Sequence, residues 1–587
     1  MKLKQYIKLV CLASFTVTAA SCLDLEPKAD LGDNLVWNKA DNFQLFANQF
    51  YGWLPDFSSA ISDSPHSDYR SDLVCESKRN VYSDGTNTIP TGDGNYTGNY
   101  KHIYYTNLLL KNAQNFGDAK AIAVPVAEAK FFRAFSYFEL VQLYGNVILL
   151  TEPIDLDSEK LSASRNDRSV VIDQVIKDLK EAAEDLPETV SEAGRLTKYA
   201  AYAMLSRVAL FEGTWQKFHT NGKDATTNTA RSEELLTIAK DAADKVISCK
   251  KYKLFYNVAL GNESYRYMFT LEDGVQCNPA NLSKADNTEY ILMKRHRNGD
   301  KTAWNLTHGM VANACYLTHK LVDMYLCSDG LPTAISSKFK GDKGVTDEFL
   351  ERDNRMGNNM LYHGQKYWNN DGAWRTTWTD ADLEKTLVAN VRSGSGYQNR
   401  KWGTEREVAD YYESYDFPVI RYAEVLLNYA EAVYELNGEI SDSELDYSLN
   451  LVRLRVNPNM PKLTNKLIAD HSPMSMREEI RRERTVELIL EGHRIDDLKR
   501  WATAKEEMPQ DQLGVKVTGT WFENNWSNQS RSLNADGYII MYEGRVWSDK
   551  HYLSASFRPI AVEPATGTEP GMEKLNDLLS KIKCRNV

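Results

Sequence analysis

The chain is 587 residues long and carries 70 Lys and Arg against 81 Asp and Glu, a formal charge of −11 at pH 7. That acidic surplus argues against nucleic acid as a partner. Mean hydropathy is −0.50, and after the N-terminus no run is apolar enough to span a bilayer. Residues 1–21 read as an export signal, with Lys2, Lys4 and Lys8 as the basic region and Leu9 to Ala20 as a short apolar stretch ending in small residues. Removing those lysines leaves 67 basic side chains against 81 acidic ones, a balance of −14.

The signal ends in TAASC, which resembles a lipoprotein processing box with Cys22 as the lipidated residue and mature N-terminus. The alternative is an exported protein with an unmodified cysteine. Each buried methylene of an acyl chain contributes about 0.8 kcal/mol, so lipidation with several chains tethers a protein to a membrane without spanning it. Residues 22–33 then form a polar tether, in which Asp24, Glu26 and Pro27 discourage structure.

Helical periodicity begins near Asp41 and gives way to a loop from Pro55 to Tyr100, where Asp68, Tyr69, Arg79, Tyr82 and Tyr96 stand among Ser, Gly and Asn. GDGNYTG at Gly92 to Gly98 also reads as loop, with nothing helical straight after it. Phe131, Ala134, Phe135, Phe138 and Val141 define a helix with Tyr137, Leu140 and Tyr144 on its neighbouring face. So wide a stripe needs two packing partners. Further helices are expected over 170–186, around Ala201, Met204, Leu205 and Val208, and over 232–248. Ala200, Ala203 and Ala209 permit a close helix neighbour, and short connections suggest tetratricopeptide-like pairs.

From Gly261 to Tyr415, Gly, Asn, Asp and Trp replace periodicity, and a loop-rich segment of that length is usually functional. Within it QKYWNNDGAWRTTWTD, 365–380, sets Tyr367, Trp368, Trp374 and Trp378 among Asn369, Asn370, Asp371 and Arg375; Trp304 stands beside Asn305. Aromatic faces stack on the C–H faces of sugars while amides and acids hold the hydroxyls, so the mixture suits a saccharide. It equally suits a loop pinned by its own tryptophans. The histidines, among them His308, His319 and His363, lack ligand spacing, so no metal or cofactor is expected. Cys75, Cys249, Cys277, Cys315, Cys327 and Cys584 show no CxxC, and spacing does not choose among possible disulfides. HExxH, P-loop, GxGxxG and GxSxG patterns are all missing.

Tyr422, Val425, Leu426, Tyr429, Ala430 and Val433 give the clearest helix, ending at Asn437-Gly438. From Ile480 to Trp501, IRRERTVELILEGHRIDDLKRW interlocks charge with apolar residues, reading as helix, glycine break at Gly492 and second helix. Carboxylates and guanidinium groups beside Val486, Ile489 and Leu490 imply ion pairs pressed against a core, a structural clamp.

The pattern ERxxELxxEGxRxxDLxRW, carried by Glu483, Arg484, Glu487, Leu488, Glu491, Gly492, Arg494, Asp497, Leu498, Arg500 and Trp501, resembles the helical signature of the SusD/RagB family. RAFSYFELVQLYGNV (133–147), GRLTKYAAYAMLSRVALFEG (194–213) and RYAEVLLNYAEA (421–432) resemble the same family in the same order. YLSASFRPIAVEP (552–564) resembles a stretched form of its C-terminal turn, while the closing KIKCRNV departs from the family pattern.

The resemblance implies a mostly α fold, a tetratricopeptide-like helical-repeat scaffold with an irregular loop-rich subdomain. The chain then divides into 34–260 of the scaffold, an insertion over 261–415 and a helical part over 416–587. It also implies an outward-facing outer-membrane lipoprotein that binds oligosaccharide or polysaccharide and delivers it to a SusC-like TonB-dependent transporter. By region, the ligand-binding candidates are Asp68, Tyr69, Arg79, Tyr82, Trp304, Tyr367, Trp368 and Trp374. Rival readings are a peptide-binding member of the same family, a helical-barrel glycoside hydrolase using two carboxylates, and a helical scaffold binding only proteins.

Overall fold

The computed structural model describes residues 37–544, apart from 63, 76–78, 88–91, 155–157, 159, 161–162, 220–228, 298–305, 308–314, 363–366, 369–373, 376–393, 407 and 526–531. The signal, the tether with Cys22, Trp304, Trp378 and the 552–564 stretch lie outside the described residues, as do the side chains of Tyr367, Trp368 and Trp374.

Helices form where the apolar periodicity lies and start where a short polar side chain can take up an orphan N–H. They are α1 (Ala40–Asn48), α2 (Gly94–Ala113), α3 (Ala123–Tyr144), α4 (Arg168–Asp185), α5 (Lys198–Phe218), α6 (Thr229–Ser248), α7 (Tyr422–Asn437), α8 (Met476–Leu488) and α9 (Arg494–Arg500), with shorter turns between. Asp93, Asp167, Thr197 and Ser475 cap α2, α4, α5 and α8 through their side chains. Each such cap contributes about 1 kcal/mol. Asp93 corrects one expectation: GDGNYTG is not a loop but the first turn of α2, because its cap outweighs the poor helix propensity of Gly94 and Gly98.

From α2 to α6 each helix packs on the next, and α7 returns from far along the chain to pack on α6, α5 and α8. This is the tetratricopeptide-like scaffold that the periodicity suggested. In α3 every residue from Phe131 to Tyr144 is buried except Glu139, since α2 and α4 cover both apolar faces. Ala200 and Ala203 of α5 are fully buried, as their small size allows where helices approach closely. α7 ends at Gly438, whose φ of 76° closes the helix with a left-handed residue.

Strands are few and short: β1 (Val74–Cys75), β2 (Tyr290–Lys294), β3 (Tyr316–Leu317), β4 (Met360–Leu361), β5 (Tyr367–Trp368), β6 (Trp374–Arg375), β7 (Gln398–Asn399), β8 (Phe417–Arg421), β9 (Gln512–Lys516) and β10 (Tyr538–Tyr542). A four-stranded antiparallel sheet of order β1-β3-β7-β4 joins the N-terminal loop to the loop-rich region. β2 pairs with β8, β9 with β10, and β5 with β6. Cys75, Cys249, Cys277, Cys315 and Cys327 are free thiols, all but Cys249 buried.

The charged segment over 480–501 is a clamp. α8 stops at Leu488, Leu490 and Gly492 take φ of 62° and 80°, and α9 begins at Arg494. Glu487 is fully buried and its carboxylate accepts from Arg421 at 2.6 Å, from Arg355 at 2.9 Å and from Arg455. Glu491 holds Arg421 and Lys401, each at 2.7 Å. Arg500 and the Trp501 indole N–H both donate to Glu431. Burial pushes the Glu487 carboxyl up, but Arg455, Arg421 and Arg355 overcome it and hold it down at about 2. The clamp therefore ties α8 to α7, to β8 and to the loop-rich region around 355 and 401.

Candidate functional site

The N-terminal loop is folded against this clamp. Asp56 caps a short helix, Phe57–Ile61, and Ser67 caps a 3-10 turn over Asp68–Arg70. That turn sends neighbouring side chains in opposite directions. Asp68 and Tyr69 are 0% and 3% exposed, whereas Arg70 reaches the surface. The Asp68 carboxylate accepts the backbone N–H groups of Leu490 at 2.5 Å and Arg494 at 3.2 Å, so it ties the loop to the Gly492 turn. Burial raises its carboxyl to about 7 against those hydrogen bonds. Asp72 takes a two-point bond from Arg494, at 2.9 and 3.0 Å. His66 bridges Glu139 of α3 at 2.8 Å and Asp496 of α9 at 2.5 Å. Burial works against its imidazolium, yet Asp496 and Glu139 push it up to about 10.

Three distant stretches of sequence meet at a cavity of about 180 Å3 lined by Arg70, Tyr82, Asp93, Asn95, Tyr144 and Ile495. The Arg70 guanidinium lies 3.6 Å over the Tyr82 ring. Tyr144 donates its hydroxyl to Asp93 at 2.6 Å, and the other Asp93 oxygen caps α2 through Asn95 at 2.8 Å. Burial first and Asp93 second push the Tyr144 phenol well above its ordinary value, so it stays a donor. The cavity is smaller than the roughly 300–1,000 Å3 of most small-molecule sites, so it suits one ring of a longer ligand. It offers a guanidinium stacked on an aromatic ring, with an acid and an amide at its side. A cavity of about 90 Å3 lies on the next residues of the same stretches, His66, Gln142 and Asp496, so the bridge stands directly behind this wall.

Of the residues singled out from sequence, Tyr82 lines the cavity and Asp68 and Tyr69 lie beneath its loop. Arg79 donates to the carbonyls of Ser83 at 3.0 Å and Glu543, and stands 3.6 Å from Asp84. It therefore stiffens the turn that carries Tyr82. The β5–β6 register sets Trp368 opposite Trp374. Sequence reasoning missed Arg70, Asp93, Asn95 and Tyr144. Asp93 had a legible signal, an Asp ahead of a helical run, whereas Tyr144 looked like core.

Among the described residues no group of His, Cys, Asp and Glu could hold a metal, and no helix is long and apolar enough to cross a membrane. Among the described residues lining the Arg70–Tyr82 cavity, Asp93 is the one carboxylate.

Fold and site define a helical-repeat protein with a loop-rich segment clamped onto its scaffold. The family model described as SusD family matches residues 276–559, and a second, described as starch-binding associating with outer membrane, matches 28–210. The chain belongs to the SusD/RagB family. A SusD-like protein of Bacteroides ovatus is 23% identical over 468 residues, 78% of this chain and 72% of that protein. SusD-like protein P25 of Formosa agariphila is 31% identical over 121 residues, 20% of this chain and only 23% of its own length. A solved SusD-like carbohydrate binding protein from Bacteroides fragilis superposes with a TM-score of 0.67 at 22% identity, covering 88% of this chain and 96% of that one. A structure described as a laminarin binding SusD-like protein gives a TM-score of 0.54 at 20% identity, over 80% of this chain and 93% of that one.

Proposed function

We propose that the chain is a surface lipoprotein, anchored in the outer membrane through Cys22 and facing the exterior, that captures an oligosaccharide and passes it to a SusC-type TonB-dependent transporter. The observation that carries the reading is the cavity where Arg70 covers the Tyr82 ring beside Asp93 and Asn95. A pyranose ring has the matching chemistry, with apolar C–H faces and a girdle of hydroxyls. Family membership and relatives described as carbohydrate binding and laminarin binding support a glycan as cargo. Glycoside hydrolysis needs two carboxylates flanking one bond, and Asp93 is already committed to capping α2 and to Tyr144.

In this reading residues 34–260 and 416–587 are scaffold, and the aromatics of 261–415, with Trp304, Tyr367, Trp368 and Trp374, complete the ligand face. A further cavity of about 870 Å3 lies between α2, α3 and α4, rimmed by Lys111, Lys120, Lys130 and Lys177 and poor in aromatics. It suits the transporter better than a sugar. Binding by a few rings and hydrogen bonds is modest and reversible, as handover requires.

The test sets immobilised protein against a panel of soluble polysaccharides beside a peptide library, with reducing ends assayed in the same wells. Retention of a polysaccharide without new reducing ends is expected. Retention of peptides alone, or accumulation of reducing ends, overturns the reading.

A further inference from the structure

We infer that a separate cavity, between the α4–α5 connection and β2, binds a free α-amino acid with an apolar side chain, held by Arg295 at its carboxylate and by Asp273 at its ammonium. The inference stands apart from the glycan reading, because this cavity shares no lining residue with the Arg70–Tyr82 cavity.

The cavity holds about 290 Å3, at the small end of ordinary ligand sites. Ala193 lines it from the α4–α5 connection, and Lys284, Tyr290, Arg295 and Asp416 line it from the segments around β2 and β8. Its apolar wall is Met268, Leu271 and Met293. Methionine is flexible and adapts to side chains of different shape.

The polar groups converge on one end. Asp416 is buried between Lys284 at 2.7 Å and Arg295 at 3.0 Å, while Lys284 also donates to the His296 carbonyl at 2.6 Å. One carboxylate thus faces two cations, which leaves a positive charge to be met. Arg295 and Asp273 stand at the open end, with side chains 36% and 53% exposed. Their charged atoms approach no closer than 3.7 Å, too long for a hydrogen bond, so the outer Arg295 nitrogen keeps its donors for a ligand carboxylate. Gly194 has φ of 91°, and a Cβ there would come within 2.7 Å of the Arg295 Cγ, so only glycine lets Arg295 lie across the connection. Asn287 accepts the N–H groups of Glu289 at 3.0 Å and Tyr290 at 3.3 Å, which leaves its amide N–H groups as further donors. The buried Tyr290 hydroxyl has no hydrogen-bond partner, an orphan of the kind that a ligand or water satisfies.

Among the described lining residues two acids balance two bases, so neither a net anion nor a net cation matches the site. A zwitterion does. An α-amino acid carries both charges on one carbon, as the side-by-side placing of Arg295 and Asp273 requires, whereas a dipeptide sets them farther apart. A carboxylate has about four acceptor positions, so the ammonium joins the partners Asp273 already has, among them the Lys284 N–H at 3.2 Å. The ligand side chain then lies against the methionines.

The test is calorimetric titration of the full chain with leucine and methionine, beside N-acetyl-leucine, which lacks the ammonium, and leucinamide, which lacks the carboxylate. Leucyl-leucine and glucose complete the series, and Arg295→Gln and Asp273→Asn are titrated with Tm recorded for each. Expected is binding of leucine or methionine, with Kd raised about tenfold or more by either blocked form and by either substitution, at unchanged Tm. Should a substitution lower Tm, the blocked forms decide on the wild type alone. No heat with either free amino acid overturns the inference. Equal affinity for the blocked forms, or binding that survives both substitutions in folded protein, overturns it as well. Binding of glucose or leucyl-leucine in place of the amino acids gives the cavity another ligand and has the same result.

Discussion

Glu487 meets the guanidinium groups of Arg355, Arg421 and Arg455, all buried, in a region where water cannot replace a lost partner. Truncating it strands those positive charges, and breaking a buried pair in this way costs about 3–5 kcal/mol. Glu487→Ala is therefore expected to lower unfolding stability by that amount in denaturant titration; a loss under about 1 kcal/mol contradicts the clamp. His66 gives a pH signature. Its folded pKa, about 10, lies above the ordinary 6.5, so its contribution is complete below pH 6.5 and fades as pH rises through 10. Asp68, raised to about 7 from 3.8, acts in the same direction over a lower range. Stability measured from pH 7 to 10 should fall more steeply in the wild type than in His66→Gln. Equal slopes would remove the bridge to Glu139 and Asp496.

At the scale of elements, two glycines separate backbone strain from crowding. Gly438 has φ of 76° with nothing within 4 Å of an added Cβ, so Gly438→Ala carries only the left-handed cost, about 1–2 kcal/mol. Gly492 has φ of 80° and would set its Cβ 3.4 Å from the His66 carbonyl and 3.6 Å from the Ala60 Cα. Gly492→Ala should therefore lower Tm by more than Gly438→Ala, and it should expose the loop over 55–93 to proteolysis. Equal effects would show that the loop does not lean on the turn. Both glycines were legible in sequence, because a helix end is a local event written in adjacent residues. The faces of α3, α5 and α7 were legible for the same reason. The α2 start was not, because the Gly-rich composition of GDGNYTG concealed its Asp cap.

For the whole molecule, fold class was readable because periodicity and the long charged signature both repeat over many residues. The candidate cavity was readable only in part. Arg70, Tyr82 and Asp93 come from one loop, but Tyr144 and Ile495 reach it only through packing of α3 and α9. Nothing in three adjacent residues says which side chain a 3-10 turn will bury, so Arg70 is not legible there ahead of Tyr69. The lysine rim between α2, α3 and α4 makes the proposed transporter contact sensitive to charge. Reversing Lys111 and Lys120 to Glu should reduce co-purification with the transporter at low salt while leaving glycan affinity intact.

Capture and delivery are tested together by uptake of a fluorescently labelled oligosaccharide, from the polysaccharide that the panel identifies, into cells producing the wild type, no protein or Tyr82→Ala at equal transporter levels. Uptake at low oligosaccharide concentration should be lost without the protein and reduced by Tyr82→Ala. Undiminished uptake in cells lacking the protein would contradict its role.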